Sequence, residues 1–354
     1  MVIDMNRRTF LLSAGATTSV LSGLSKLHAE RRRDPGEKTA SELMNDATLR
    51  AIDRGFAYLA RRQQASGATK GSFGLGGYAG GVAVCGLAGL AFMCGGNAPD
   101  EGPYGRHVER CVEFILKSTR DTGYIATSSS GHDNMYGHGF ATLFLSEVYG
   151  MSKKVEVGKK LRKAIKLICD CQNNHGGWRY QPRKSDADLS ITICQIMALR
   201  AARDAGVHVP DEVREKCISY VKKSQNTDGG FRYQISGGGS TFPLSGAGVV
   251  ALYSAGIYDG PEVEKGLKFL MRYKPGRGNT GSYYFYAHYY AVQAMWHAGG
   301  KYWNEWYPAI RDELLKTQSG DGSWVDRQVG PEFGTAMACI ILQMPNNYLP
   351  VFAP

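Results

Sequence analysis

The sequence predicts an all-α protein of six helix pairs, closed into a barrel of six inner helices inside a barrel of six outer ones. Three observations carry this reading. A glycine turn recurs as Gln172-Asn-Asn-His-Gly-Gly-Trp178, Gln225-Asn-Thr-Asp-Gly-Gly-Phe231 and Gln318-Ser-Gly-Asp-Gly-Ser-Trp324, each copy following an amphipathic helix and preceding a more apolar one. Self-similarity near a fifty-residue period marks a repeat architecture. The helices also alternate in chemistry. Stretches such as Val213-Arg-Glu-Lys-Cys-Ile-Ser-Tyr-Val-Lys-Lys carry one charged stripe, whereas Gly246-Ala-Gly-Val-Val-Ala-Leu and Gly86-Leu-Ala-Gly-Leu-Ala are apolar nearly all round. A helix apolar on every side must be buried. Finally, the terminal units keep the same two-layer pattern, whereas an open solenoid needs polar caps at its ends. Closure into a ring follows.

The units run in order. The first pairs Ala47–Gln64 with Gly80–Met93 across a long glycine loop carrying a degenerate turn, Gly71-Ser-Phe73. The second pairs Gly105–Thr119 with Tyr136–Tyr149, its turn reduced to Asp121-Thr-Gly-Tyr124. The third pairs Val155–Cys171 with an apolar stretch, Ile191 to Leu199. The fourth joins Pro210–Ser224 to Ser245–Ala255. The fifth joins Pro261–Tyr273 to Tyr284–Ala298 and has lost the glutamine. The sixth joins Trp303–Thr317 to Phe333–Gln343. Pro210 and Pro261 stand where outer helices begin, and there the missing N–H costs nothing. The 45 glycines of the 354 residues concentrate in the inter-helix turns, as a many-looped helical chain requires.

Before the repeats, residues 30–43 are polar and aperiodic and read as a flexible leader. The first 29 residues read as an export signal. Asn6-Arg7-Arg8-Thr9-Phe10-Leu11-Leu12 resembles a twin-arginine start, an apolar run follows to Leu24, and Leu27-His28-Ala29 offers a cleavage site. Residues 44–354 are then one toroidal domain, expected in the periplasm or cell envelope. No other stretch has the roughly twenty apolar residues of a membrane span, although peripheral contact with a membrane is compatible with the sequence.

The net charge is +10, and its densest run, Lys153 to Lys166, has the spacing of a solvated helical face. No aromatic residues interleave it, so nucleic-acid binding is not expected. The eight cysteines fall mostly on apolar helical faces, where cysteine acts as a small hydrophobe. Cys169-Asp-Cys171 is too close for a CxxC motif. Oligomeric state is not legible.

The Gln-x-x-x-Gly-x-Trp turns resemble the QW repeats of squalene–hopene cyclases, and the six-fold pairing is similar to the α/α toroid of protein prenyltransferase β subunits. The resemblance covers nearly all of residues 44–345. It implies an α6/α6 toroid and makes Gln172, Trp178, Gln225, Phe231, Gln318 and Trp324 scaffold.

Aligning the inner helices on their apolar cores places Ala83, His138, Thr192, Ser245, His288 and Thr335 at one level. Asp188, four residues before Thr192, lies one turn further out, level with Asn134, Thr241 and Tyr284. Tyr136, Phe242, Tyr284 and Tyr286 crowd this rim, and Glu332 stands at the start of the sixth inner helix. The expected site is an apolar, aromatic-lined central cavity taking an apolar small molecule.

Asp186-Ala-Asp188-Leu189-Ser190 resembles the Asp-x-Asp-Asp segment of squalene–hopene cyclases, whose middle aspartic acid protonates an isoprenoid. The resemblance makes Asp188 the general acid, tuned by Asp186 or His138, although Leu189 replaces the last Asp. The other reading of Asp188 is a helix N-cap. His288 is similar in placement to the zinc-ligand histidine of protein prenyltransferases, but Thr241-Phe-Pro-Leu-Ser supplies no companion ligand. Neither metal nor cofactor is expected. Two functions stay open: a terpene-cyclase-like enzyme acting on an isoprenoid, and a non-catalytic toroid binding a lipid, glycan or peptide.

Overall fold

The structure is a computed structural model describing residues 40–353 apart from 75–77, 128–133 and 277–281. The twin-arginine start and residues 30–39 of the leader lie outside the described residues. After one helical turn at Ala40–Leu43, outer and inner helices alternate. The outer ones are α1 (Asp46–Arg62), α3 (Gly105–Lys117), α5 (Val155–Cys171), α7 (Asp211–Lys223), α9 (Pro261–Leu270) and α11 (Gly300–Thr317). The inner ones are α2 (Val82–Cys94), α4 (Met135–Tyr149), α6 (Leu189–Asp204), α8 (Phe242–Ser254), α10 (Tyr284–Ala298) and α12 (Pro331–Leu342). Among the described residues extended pairing is limited to isolated bridges. No described helix is long and apolar enough to cross a membrane. All eight cysteines are free.

Each inner helix packs on the next, and α12 packs on both α2 and α1, so the ring closes. Glycine permits the close inner contacts. A Cβ on Gly139 would sit 2.8 Å from Cys194 Cβ, and one on Gly86 would sit 3.0 Å from the Phe140 carbonyl oxygen.

The turns staple the layers. Gln172 Nε2 donates to Gly176 O (3.0 Å) and to Val213 O of the next outer helix (2.8 Å). Gln225 does the same to Gly229 O and Glu262 O. Gln318 reaches Gly322 O and Ala51 O (both 2.9 Å), joining the last unit to the first across 267 residues. Gln63 adds a fourth copy, donating to Gly71 O and His107 O (both 3.0 Å). The turn glycine has positive φ because its backbone lies on the following outer helix. Gly176, at φ +95°, would put a Cβ 2.0 Å from Lys216 O.

Aromatic side chains meet across the lumen. Tyr289 of α10 and Phe140 of α4 belong to opposite members of the ring, yet their ring centroids are 6.3 Å apart. Below them the segment after α12 crosses the end of the barrel and brings Phe352 to 6.2 Å from Tyr289. Two small cavities, of about 20 and 10 Å³, lie at the base.

Candidate functional site

The polar groups of the rim gather at the start of α6. Asp188 is the N-cap of that helix: Oδ1 accepts the Ile191 N–H (2.9 Å) and the Ser190 hydroxyl. Its Oδ2 faces Arg179 Nε at 3.6 Å, and the residue is fully buried. The Arg179 guanidinium lies 5.2 Å from the Tyr180 ring centroid and 5.5 Å from that of Tyr233, at cation–π distance from both. The two phenol oxygens are 2.6 Å apart. Arg179 also reaches Asp186 (3.4 Å), which accepts from Gln234 Nε2 as well. One guanidinium therefore joins a buried and an exposed carboxylate beneath two tyrosine rings.

Burial raises the Asp188 pKa, while the Ser190 hydroxyl, the Ile191 N–H and Arg179 act against that rise. On the lumen side, the Tyr136 hydroxyl donates to Ser190 Oγ and Tyr286 to Ser190 O (3.3 Å). Burial raises both phenol pKa values, keeping the rings neutral.

Several expected site residues serve the scaffold instead. Thr192, Ser245 and His138 do sit at one level, but they face the turns rather than a lumen. Their side chains accept the backbone N–H groups of Trp178 (3.2 Å), Phe231 (2.9 Å) and Ile125 (3.1 Å). Thr335 does the same for Trp324 (3.0 Å). His138 is therefore remote in role from the Asp188 carboxylate, and burial lowers its pKa to about 3. Asn134 caps α4 by accepting the Tyr136 N–H. Tyr284 turns outward to Glu313 of α11 (2.8 Å). Glu332 accepts from Arg62 of α1 (2.8 Å). His288 and Phe242 pack between the layers, their centroids 5.0 Å apart and Trp306 of α11 beside both. Burial lowers the His288 pKa to about 3. Of the expected cavity residues, Tyr136 and Tyr286 both reach Ser190 at the start of α6.

Arg179, Tyr180, Ser190, Tyr233 and Gln234 were not anticipated. A signal for them exists: the turns of units three and four continue identically, as Trp178-Arg-Tyr-Gln and Phe231-Arg-Tyr-Gln. Among the described residues no three His, Cys, Asp or Glu side chains converge to hold a metal ion.

Residues 140–274 and 211–345 both match the prenyltransferase alpha-alpha toroid domain, together more than half of the chain. The fold is similar to a variant of the type II terpene cyclase MstE from Scytonema in complex with its substrate, geranylgeranyl dihydroxybenzoate. The identity is 14% and the TM-score 0.60, over 86% of this chain and 98% of that one. It is similar also to the GH76 α-mannanase of Bacteroides thetaiotaomicron, at 11% identity and TM-score 0.59 over 87% and 98%. A third likeness is to an inactive variant of the α-1,6-mannanase GH76A of Salegentibacter in complex with α-1,6-mannotriose, at 8% identity and TM-score 0.61 over 86% and 100%. At these identities the likeness is one of fold. No curated protein sequence matches the chain.

Proposed function

The chain belongs to the prenyltransferase alpha-alpha toroid family, and on that footing we propose that it is a non-catalytic, exported toroid that binds an oligosaccharide across its rim. The observation that carries this reading is the Asp186–Arg179–Asp188 cluster beneath Tyr180 and Tyr233. Aromatic rings suit the C–H faces of a sugar, and a carboxylate with an amide beside it suits its hydroxyls. Asp186 is 71% exposed at its side chain and Gln234 adjoins it. The fold likeness to a mannanase bound to α-1,6-mannotriose supports the same ligand class.

Cyclisation of a polyprene fits these residues less well. A proton-donating acid must stay neutral and touch its substrate. Asp188 is raised in pKa, which favours that role. However, it is fully buried, it faces a guanidinium, and the lumen beside it is spanned by Tyr289 and Phe140. Export would bring the rim to envelope or extracellular glycans, which fits the twin-arginine start.

The test is calorimetric titration with α-1,6-mannotriose and a panel of short oligosaccharides. Squalene and shorter polyprenyl compounds are incubated in parallel and assayed for cyclic products by gas chromatography. The expected result is saturable sugar binding, weakened at least tenfold by Tyr180→Ala, with no cyclic product and no shortened sugar. A cyclic product lost in Asp188→Asn would restore the cyclase reading. Cleavage of the sugar would make the protein a hydrolase, and no binding across the panel would sink the rim proposal.

A further inference from the structure

Outer helix α5 breaks the charge rules that the other five outer helices obey. Each of those five carries a basic residue in its last turn, where a cation complements the helix dipole. α5 carries none there, and Asp170 stands beside its last residue. Its positive charge gathers at the opposite end. Lys154 is the N-cap and makes no side-chain capping bond, at a position that favours Ser, Thr, Asp or Asn. From Lys153 to Asp170 seven basic residues stand against two acidic ones, a net of +5 and so half of the +10 of the whole chain. Some of these bases are paired, Lys154 with Glu109, Lys160 with Glu156 (3.2 Å) and Lys166 with Asp170 (2.6 Å). Among the described residues Lys153, Lys159 and Lys163 form no ion pair, and all three are exposed. Lys159 and Lys163 are one turn apart, a like-charge spacing that weakens a helix. Val155 heads the same stripe, four residues before Lys159. At 72% it is the most exposed large hydrophobic residue described.

We propose that the α5 wall is a docking face for an anionic phospholipid membrane, with Val155 entering the apolar layer and the lysine stripe lying against the lipid phosphates. Two observations select this partner. The stripe is arranged against the stability of its own helix, and such a local conflict marks a functional surface. A valine framed by Lys153, Lys154 and Lys159 also calls for an apolar layer directly beneath an anionic one. A bilayer interface has both, whereas an anionic polysaccharide has no apolar layer to take Val155. The wall is held in place from behind. Lys160 donates to the Leu116 carbonyl of α3 and Lys154 reaches Glu109 of the same helix, so α5 is fastened to its neighbour while the stripe stays outward. The rim cluster lies past the other end of α5, so a docked barrel keeps its mouth free. The proposal stands independently of the oligosaccharide reading.

The full chain is sedimented with vesicles of phosphatidylglycerol mixed with phosphatidylcholine, and with vesicles of phosphatidylcholine alone. Wild type should bind the anionic vesicles far more tightly, and the difference should shrink as NaCl is raised. A lysine near an anionic leaflet contributes roughly fivefold in affinity. Lys153→Gln, Lys159→Gln and Lys163→Gln together should therefore weaken binding about 100-fold. Val155→Ser should weaken it about tenfold, the loss of one small apolar anchor. The same charge is removed from the adjacent wall by Lys216→Gln, Lys222→Gln and Lys223→Gln in α7, which should cost about fivefold or less. Urea midpoints are read on the same proteins. Because the three α5 lysines form no ion pair, their replacement should leave the midpoint unchanged or raise it. A lowered midpoint would show that they serve stability and overturns the proposal. Equal binding to both kinds of vesicle, or an equal loss in the α7 variant, overturns it as well. Val155→Ser protein that binds as tightly as wild type overturns the choice of a membrane as the partner.

Discussion

Protonation divides the buried residues of this protein into two groups that respond oppositely to acid. His138 and His288 are held neutral by burial, with pKa values lowered to about 3, while an unfolded histidine titrates near 6.5. Their contribution to stability is complete above about pH 6.5 and is lost as pH falls toward 3, at about 1.4 kcal/mol per pH unit for each. Asp188, with its pKa raised, has the reverse sign: its contribution is complete below about pH 3.9 and is lost as pH rises through the folded value. Urea midpoints measured from pH 7.5 to 5.0 should therefore fall on acidification. His138→Asn keeps an acceptor for the Ile125 N–H and should remove its own share of the histidine slope, about 1.4 kcal/mol per pH unit. An unchanged slope would show that His138 is not held neutral by burial. Asp188→Asn still caps α6 and should remove the opposing, acid-favoured contribution of the raised carboxyl. At this scale the sequence was half legible. It put Thr192, Ser245 and His138 at one height because repeat alignment measures distance along a helix. It missed that they face the turns, because azimuth depends on where the turn chain passes.

Turn and outer helix form the element that repeats most faithfully, and the glycine between them tests whether they bear on each other. Gly176 and Gly206 share a left-handed backbone, φ +95° and +86°, but differ in surroundings. A Cβ on Gly176 would meet Lys216 O at 2.0 Å, whereas one on Gly206 would meet nothing within 4 Å. Gly206→Ala should cost only the conformational penalty, about 1–2 kcal/mol. Gly176→Ala should cost about 1–3 kcal/mol more, because backbone rather than a mobile side chain must move. Equal losses by urea denaturation would show that this turn does not dock on α7. The sequence revealed this element through the Gln172, Gln225 and Gln318 copies, since each bonded glycine lies four positions after its glutamine. It hid the Gln63 copy, whose glycine lies eight residues away, so a fixed-spacing pattern passes over it. The Arg-Tyr-Gln continuation was equally visible, but its meaning required two neighbouring turns to be brought face to face.

For the whole molecule, the alternating helix chemistry revealed the number of units and their closure, and it concealed the aromatic contact across the lumen. Tyr289 and Phe140 touch only because they belong to opposite members of a ring, a relation with no signature along the chain. Closure itself makes a sharp prediction, because the bond that joins the ends is chemically the same as one in its middle. Gln318 Nε2 donates to its own turn and to α1, as Gln225 Nε2 donates to its own turn and to α9, and both side chains are part-buried. In an open solenoid the end contact frays first and contributes little to global stability. In a closed ring both positions are interior. Gln318→Ala and Gln225→Ala should then cost similar amounts, about 1–3 kcal/mol for the carbonyls left unpaired, within a single cooperative transition. Hydrogen exchange followed beside urea denaturation distinguishes the outcomes. If Gln318→Ala leaves the urea midpoint unmoved while α1 alone exchanges faster, the first and last units are not stapled, and the ring is an arc whose ends only lie side by side.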